Sequence, residues 1–232
     1  IGKLSLMLGL NLKHPLLDSK VKDLYFKGHA IEMYFATRPY DVVVYLSDGS
    51  IPLLGGRRNI IHMQVPFHGV GGRSLQNKIK LQFISSVIVN SQFTKKIVDA
   101  EYGINSVVLY PPVTPVSALA QKEKIILSVG RFEPSLNAKK QDSLIEAMRL
   151  FTKDCPDWKL ALAGGSSSDE WLNKLKDQAS GLPIDIYPNV SHQELSRLYA
   201  ISQIYWHAAG YGIDELKNPE LTEHFGISTV EA

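Results

Sequence analysis

Val87-Ile-Val-Asn90, Ser91, Gln92-Phe-Thr-Lys-Lys-Ile-Val-Asp-Ala-Glu-Tyr102, Gly103 and Val107-Val-Leu-Tyr110 read in one pass as strand, cap, helix, stop and strand. A short run of β-branched apolar residues has the look of a strand buried on both faces. Ser91 stands where a side-chain oxygen can accept a hydrogen bond from an orphan helix amide. Gly103 stands where a helix ends in a left-handed residue. A strand, a helix and a strand in this rhythm imply a parallel sheet with helices on both faces.

Outward from this stretch the same rhythm covers most of the chain. On the N-terminal side, Asp41-Val-Val-Val-Tyr-Leu46 and Asn59-Ile-Ile-His-Met-Gln-Val65 are expected to be buried parallel strands, followed by the loops Ser47 to Ser50 and Pro66 to Gly69. A polar helix from Ser74 to Ser85 leads into Val87, and Asp18 to Thr37 predicts a helix kinked near Gly28 and ended by Pro39. Leu4, Leu6, Leu8 and Leu10 alternate as in a strand. On the C-terminal side, Pro111, Pro112 and Pro115 interrupt the pattern, and the polar, small residues from Ser117 to Lys124 read as a linker. The rhythm then restarts with strand Lys124 to Val129, helix Lys140 to Phe151, strand Lys159 to Ala163, helix Asp169 to Ser180 and strand Ile184 to Tyr187. Helix His192 to Ala200, with a capping box at Ser191 and Glu194, precedes a last strand, Ile204 to His207. The expectation is two doubly wound α/β units, residues 1–112 and 124–232, joined by a linker at 113–123. Ligands of such sheets sit outside the carboxyl ends of the strands, so a cleft between the units is the expected place.

Composition narrows the classes. With 232 residues, 44% hydrophobic and 21% charged, the chain can bury a core in one large or two small domains. A formal net charge of +2 argues against a dedicated nucleic-acid binder. The single cysteine, Cys155, excludes an internal disulfide and a multi-cysteine metal site, and favours a reducing compartment. The apolar start, Ile1 to Leu12, contains Lys3 and Asn11 and is shorter than the about 20 residues a membrane-spanning helix needs. It lacks the basic leader and cleavage site of a signal peptide. Because the first residue is not Met and the last helix stops after one turn, the chain is expected to be a fragment cut at both ends. No fixed-period repeat, heptad or low-complexity tract is present.

Chemistry concentrates in three places. The first is Glu223-His-Phe-Gly-Ile-Ser-Thr-Val-Glu-Ala232, where Ser228 and Glu231 read as a capping box and predict a helix entered at Ser228. Gly226 lets backbone approach a ligand. Uncovered amides suit an anion such as a diphosphate, and carboxylates suit sugar hydroxyls. Capping boxes are also common where nothing binds, so a purely structural role stands beside this one; Glu223 caps nothing obvious. The second is Val129-Gly-Arg-Phe-Glu-Pro-Ser-Leu-Asn-Ala-Lys-Lys-Gln141, where Arg131 and one of Lys139 or Lys140 place two cations at one mouth of the sheet. Singly, each is an ordinary surface charge; together with the Gly226 turn they form a candidate diphosphate clamp. The third, Ala163-Gly-Gly-Ser-Ser-Ser-Asp169, has no lysine after its glycines, so it is not a phosphate-loop motif and reads as a tight turn.

Val129-Gly-Arg-Phe132, Lys139-Lys140-Gln141, Ser191-His-Gln-Glu-Leu-Ser-Arg-Leu-Tyr-Ala200 and Glu223 to Ala232 together resemble the group 1, or family 4, retaining glycosyltransferases. The spacing of Glu223 and Glu231, with Phe225-Gly226 between them, matches that family's E-x7-E motif. The resemblance is strong from Asn90 onward and weak before it. It implies a GT-B fold of two facing Rossmann-like domains, the N-terminal one partial and the C-terminal one lacking its last helices. It implies that Arg131 and Lys139 neutralise the diphosphate of a UDP-sugar or GDP-sugar, with no metal and no further cofactor. Glu223 would face the transferred sugar, Gly226, Ile227, Ser228 and Thr229 would offer amides, and Glu231 would take the ribose hydroxyls. Ile186 and Tyr187 would lie near the nucleobase. His62 would correspond to a first-domain histidine that contacts the reacting sugar, although a histidine within a strand is more often a core residue. His207 is expected to point into the same cleft, with His68 and Gln64 weaker candidates. The loop between Arg131 and Lys139 is longer than the family pattern, which leaves Lys139 and Lys140 open as alternatives.

No histidine and carboxylate spacing resembles a metal site, and no Gly-x-Ser-x-Gly elbow indicates a serine hydrolase. The acceptor implied is a glycan or a lipid-linked sugar, and the location the cytoplasm, with a place at the inner membrane face left open because no basic amphipathic helix stands out. A nucleotide-sugar epimerase on the same fold and a non-catalytic nucleotide-sugar-binding module are the competing readings.

Overall fold

The computed structural model describes residues 24, 30–113, 120–134, 139–167 and 169–232. The expected N-terminal strand, most of the first helix and the middle of the linker lie outside the described residues. The chain divides into two compact units, residues 1–62 with 74–87 and residues 63–73 with 88–232.

In chain order the first elements are α1 (Ala30–Thr37), β1 (Val42–Ser47), β2 (Arg58–Met63), α2 (Leu75–Leu81), β3 (Ser86–Val89), α3 (Gln92–Tyr102) and β4 (Val107–Val108). The strands form a sheet of order β1-β2-β3-β4, and β3 and β4 pair in parallel, Ile88 opposite Val107. The helix of the opening stretch has the expected bounds. Ser91 accepts a hydrogen bond from the Thr94 amide, and Gly103 takes a φ of 68° while its amide bonds the Asp99 carbonyl. Two expectations need correction. β1 is not buried on both faces: Val42, Val44 and Leu46 are exposed, because they share one face of an edge strand that no described element covers. α2 ends at Leu81 and not at Ser85, because the amides of Gln82, Phe83 and Ile84 turn to carbonyls three residues back, tightening the end into a 3-10 turn.

The second sheet consists of β5 (Glu123–Val129), β6 (Lys159–Gly164), β7 (Ile184–Pro188) and β8 (Ser202–Tyr205), with helices α4 (Gln141–Phe151), α5 (Asp169–Ala179) and α6 (His192–Ile201) between them. A 3-10 turn, Pro219–Leu221, and a short helix α7 (Ile227–Glu231) follow. The strand order is β7-β6-β5-β8, with β5 parallel to both β6 and β8. The alternation in Lys159-Leu-Ala-Leu-Ala163 explains the layers. Leu160 and Leu162 point into a cluster with Ile126, Leu144, Ile145, Met148, Leu172 and Leu175, which belongs to β5, α4 and α5. Ala161 and Ala163 point the other way, where their small side chains admit Leu198 and Tyr199 of α6 close to the sheet. Each buried leucine stabilises this packing by about 2 kcal/mol. Two parallel sheets with alternating helices make the chain an α/β protein.

The chain leaves β5 toward β6 and β7 on one side and returns to β8 on the other. β5 and β8 therefore flank the point where strand order reverses, and two loops diverge there to leave a crevice.

Candidate functional site

At the carboxyl end of β5, Gly130 donates from its amide to the Ala163 carbonyl (2.9 Å) and Phe132 donates to the Gly165 carbonyl (2.8 Å). The two strand-end loops thus lie backbone against backbone. Gly164 makes this approach possible, since a Cβ there would stand 2.0 Å from the Gly130 carbonyl oxygen. Gly164 therefore serves close packing, whereas a Cβ on Gly165 would meet only Asn189 Oδ1 at 3.9 Å. Buried Gln141, the first residue of α4, donates to the Arg131 carbonyl (2.9 Å) and fixes the backbone that carries the guanidinium. The Arg131 side chain is exposed and has no hydrogen-bond partner among the described residues.

Lys139 approaches from the start of α4. Its stem lies against Gly130, where a Cβ would stand 2.4 Å from Lys139 Cγ, and its ammonium donates to Glu223 Oε2 at 2.5 Å. Lys140 instead takes a φ of 54° and forms the N-cap of α4, and among the described residues no bond ties its side chain to the crevice. Of the two lysines the structure brings Lys139 to Glu223.

Glu223 is the hub. Its Oε1 accepts from the amides of Gly226 (3.1 Å) and His224 (3.2 Å), and its Oε2 faces Lys139 and His207 Nε2 (3.5 Å). It therefore does cap a backbone group, the amide just before α7, which the sequence reading did not anticipate. Burial pushes the Glu223 carboxyl up, but the hydrogen bond and charge of Lys139, with the two neighbouring histidines, outweigh it and hold the group below the usual carboxylate range. His207 lies two residues beyond the end of β8, not within it. Burial depresses its imidazole, Glu223 opposes this and Lys139 adds to it, so the net shift is downward. His224 is buried, bonds the Glu220 carbonyl through Nε2 and is also depressed by burial.

The capping box at Ser228 and Glu231 is not formed. The N-cap of α7 falls two residues earlier than Ser228, at Gly226, with a φ of 79° and no side-chain cap. Tyr199 diverts the Glu231 carboxylate. Tyr199 donates from its hydroxyl to Glu231 Oε2 (2.9 Å) and lies 3.2 Å from the Ser228 carbonyl. Tyr205 donates to the Val129 carbonyl (3.3 Å). Val129 immediately precedes Gly130 and Arg131, so Tyr205 ties the end of β8 to the strand end that carries the cations. The box at Ser191 is half formed: Ser191 accepts from the Glu194 amide, while the Glu194 carboxylate bonds Arg197 instead.

Arg131, Lys139, His207, Glu223, the Gly226 turn and Glu231 are thus gathered at the strand ends of β5 and β8. Gly226, Ile227, Ser228 and Thr229 make the turn and start of α7, but only the amides of Ile227 and Ser228 lack partners among the described residues. Ile186 and Tyr187 end β7 with side chains on opposite faces, Ile186 against the α4 and α5 layer and Tyr187 against Leu198 and Tyr199. His62 lies in β2 of the other unit, its Nε2 buried without a hydrogen-bond partner and its imidazole depressed by burial. Gln141, Tyr199 and Tyr205 were missed by the sequence reading. The signal for Tyr199 was present: it falls with Leu195 and Leu198 on the buried stripe of α6, where a hydroxyl must find a partner.

The depressed histidines have a consequence for stability. His207 and His224 bind protons more weakly folded than at the ordinary 6.5, so stability is complete above that value and falls as pH drops through the lowered folded values. Glu223 adds a second loss, because its stabilisation is present above 4.5 and disappears as pH falls through its lowered folded value. The urea midpoint is expected to decline steadily from about pH 7 to about pH 4. A flat profile over that range would overturn this reading of the cluster.

A doubly wound α/β unit with two cations, two carboxylates and free amides at its switch point is the class of site that takes a phosphorylated ligand. Residues 113–232 match the family described as Glycosyl transferases group 1, which is more than half the chain, and the protein belongs to that family. No curated protein matches it in sequence. Among solved structures, TarM superposes with a TM-score of 0.57 at 15% identity over 87% of this chain. An alpha,alpha-trehalose-phosphate synthase (UDP-forming) from Burkholderia vietnamiensis does so with a TM-score of 0.55 at 13% identity over 81%. Both share the fold, and this chain spans only 41% of the first and 57% of the second.

Proposed function

We propose that the full-length protein transfers a sugar from a nucleoside diphosphate to an acceptor hydroxyl with retention of configuration. The observation that carries the reading is the convergence of Lys139 and Glu223 beside Arg131 at the switch point. In the transfer, the bond between the anomeric carbon and the phosphate oxygen breaks, the acceptor oxygen bonds that carbon, and the acceptor's hydroxyl proton leaves with the departing diphosphate. Arg131 grips the diphosphate with paired hydrogen bonds and Lys139 adds a point charge, so two side chains supply the neutralisation that a metal ion would otherwise give. An ammonium has three donors, so Lys139 can hold a phosphate oxygen while it keeps Glu223 in place for the sugar. Ile227 and Ser228 offer the amides and Glu231 the acceptor oxygens for ribose hydroxyls. Residues 124–232 form the donor side and 1–112 the acceptor side, joined by 113–123; the role of His62 toward the reacting sugar rests on the family resemblance and on its unpartnered Nε2. The donor is a UDP-sugar or GDP-sugar, the transferred group a hexose, and the acceptor a glycan or lipid-linked sugar. No described helix is long and apolar enough to cross a membrane, and the proposed place is the cytoplasm.

The test is binding followed by turnover in the full-length protein. UDP or GDP at about a hundred times its dissociation constant is expected to stabilise the fold by about 2.7 kcal/mol, read as a rise in thermal midpoint. Glu223→Gln is expected to keep most of that rise and lose transfer, and the product should keep the donor's anomeric configuration. A midpoint that no diphosphate moves overturns the reading, as does conversion of the donor to its epimer without acceptor.

A further inference from the structure

We propose that Tyr199 is a positioning residue that fixes one oxygen of Glu231 and so sets the preference of the site for a vicinal diol, the 2′- and 3′-hydroxyls of a ribonucleotide, over a deoxyribose. This rests on the donor-site reading above and adds to it a residue outside the Glu223 to Glu231 motif.

A free glutamate at the end of a short helix has several rotamers, and only some aim a carboxylate at a ligand. Glu231 is denied that freedom on one side. Its Oε2 takes the Tyr199 hydroxyl at 2.9 Å, and the structure gives Oε1 no partner among the described residues. The tyrosine is itself held from every direction. It is 7% exposed, its ring stacks on Tyr205 with centroids 6.2 Å apart, and its hydroxyl also meets the Ser228 carbonyl. Lys122 donates to the Tyr199 and Ser202 carbonyls at 3.2 and 2.8 Å, closing the end of α6 from below. Burial and the adjacent carboxylate keep the phenol protonated at any physiological pH, so it remains a donor. A carboxylate with one oxygen already engaged presents the other in a fixed direction. Two neighbouring hydroxyls then gain from an acceptor placed in advance, while a single hydroxyl gains less.

The experiment measures affinities of the full-length protein for UDP and GDP and for their 2′-deoxy counterparts by titration calorimetry. In Tyr199→Phe the ring and its stacking remain and only the hydroxyl is lost. The ribose preference is expected to fall about tenfold, with the affinity for the deoxy compound unchanged. Adding Tyr199→Phe to Glu231→Ala should cost no preference beyond that lost in Glu231→Ala alone. Equal weakening of both sugars in Tyr199→Phe, or no change in either, overturns the positioning role and leaves the donor site standing. Retention of the ribose preference in Glu231→Ala overturns it without any variant of the tyrosine. A wild-type protein that binds neither diphosphate overturns the donor site and this inference together.

Discussion

Arg131→Ala is expected to lower kcat/KM of the full-length protein by about a hundredfold to a thousandfold and to abolish the rise in thermal midpoint with nucleoside diphosphate. The two cations at the crevice differ in what they have to give. Lys139 already serves Glu223, whereas the Arg131 guanidinium is exposed and has no hydrogen-bond partner among the described residues. Its backbone does not share that freedom. The Gln141 amide nitrogen holds its carbonyl, and the bonds of Gly130 and Phe132 to the neighbouring loop fix the residues on either side. Once the guanidinium grips the diphosphate, its fixed backbone holds it where charge develops on the leaving group, which is the condition for a large electrostatic contribution. Removing it should leave unliganded stability within about 0.5 kcal/mol of the wild type, since the side chain makes no bond to lose. Kinetics with saturating acceptor and a thermal scan with and without diphosphate check both halves. A variant that turns over within threefold of the wild type, by an estimate of about 0.7 kcal/mol, would remove Arg131 from the site.

Gly164→Ala is expected to destabilise the protein by about 3 kcal/mol or more and to weaken diphosphate binding, although residue 164 touches no ligand in the proposed complex. The added Cβ would lie 2.0 Å from the Gly130 carbonyl oxygen and 2.6 Å from its carbon. Both are backbone atoms at the end of a strand, so no rotamer change relieves the clash. Either loop could move, but the Gly130 and Phe132 amides donate to the Ala163 and Gly165 carbonyls, and the Asn189 amide donates to the Gly164 carbonyl at 2.8 Å. Separation would break these bonds and shift Arg131 with Gly130. Urea unfolding gives the stability loss. Diphosphate affinity of the folded fraction gives the displacement of the cation, and a midpoint unchanged from the wild type would show that the two loops do not depend on this contact.

The elements were legible where local rules act alone. The cap at Ser91 and stop at Gly103 give α3 its bounds because each acts on backbone groups within a turn of itself. Lys159 to Ala163 announced a buried strand, and its alternation of leucine and alanine even encodes which face takes two helices and which takes one. The edge exposure of β1 was not legible, since an apolar run reads the same whether or not a neighbour covers it.

At the site, the residue types were legible and the partnerships were not. Ser228 and Glu231 have the spacing of a capping box, and nothing nearby in sequence argues against one. Glu231 is drawn elsewhere by Tyr199, which α6 delivers from 32 positions away. The choice between Lys139 and Lys140 likewise depended on which stem could lie across Gly130, a contact between the two ends of a loop.

By itself, then, the sequence determined the alternation of strands and helices, the chemistry available at the strand ends and the family motif that links them, because propensity, capping and periodicity depend on near neighbours. Only the tertiary structure decided that β5 and β8 adjoin, that Glu223 takes Lys139 and that Glu231 takes Tyr199. Those pairings join residues 84 and 32 positions apart, and a hydrogen bond across such distances exists only once the packing of the sheet has brought its two ends together.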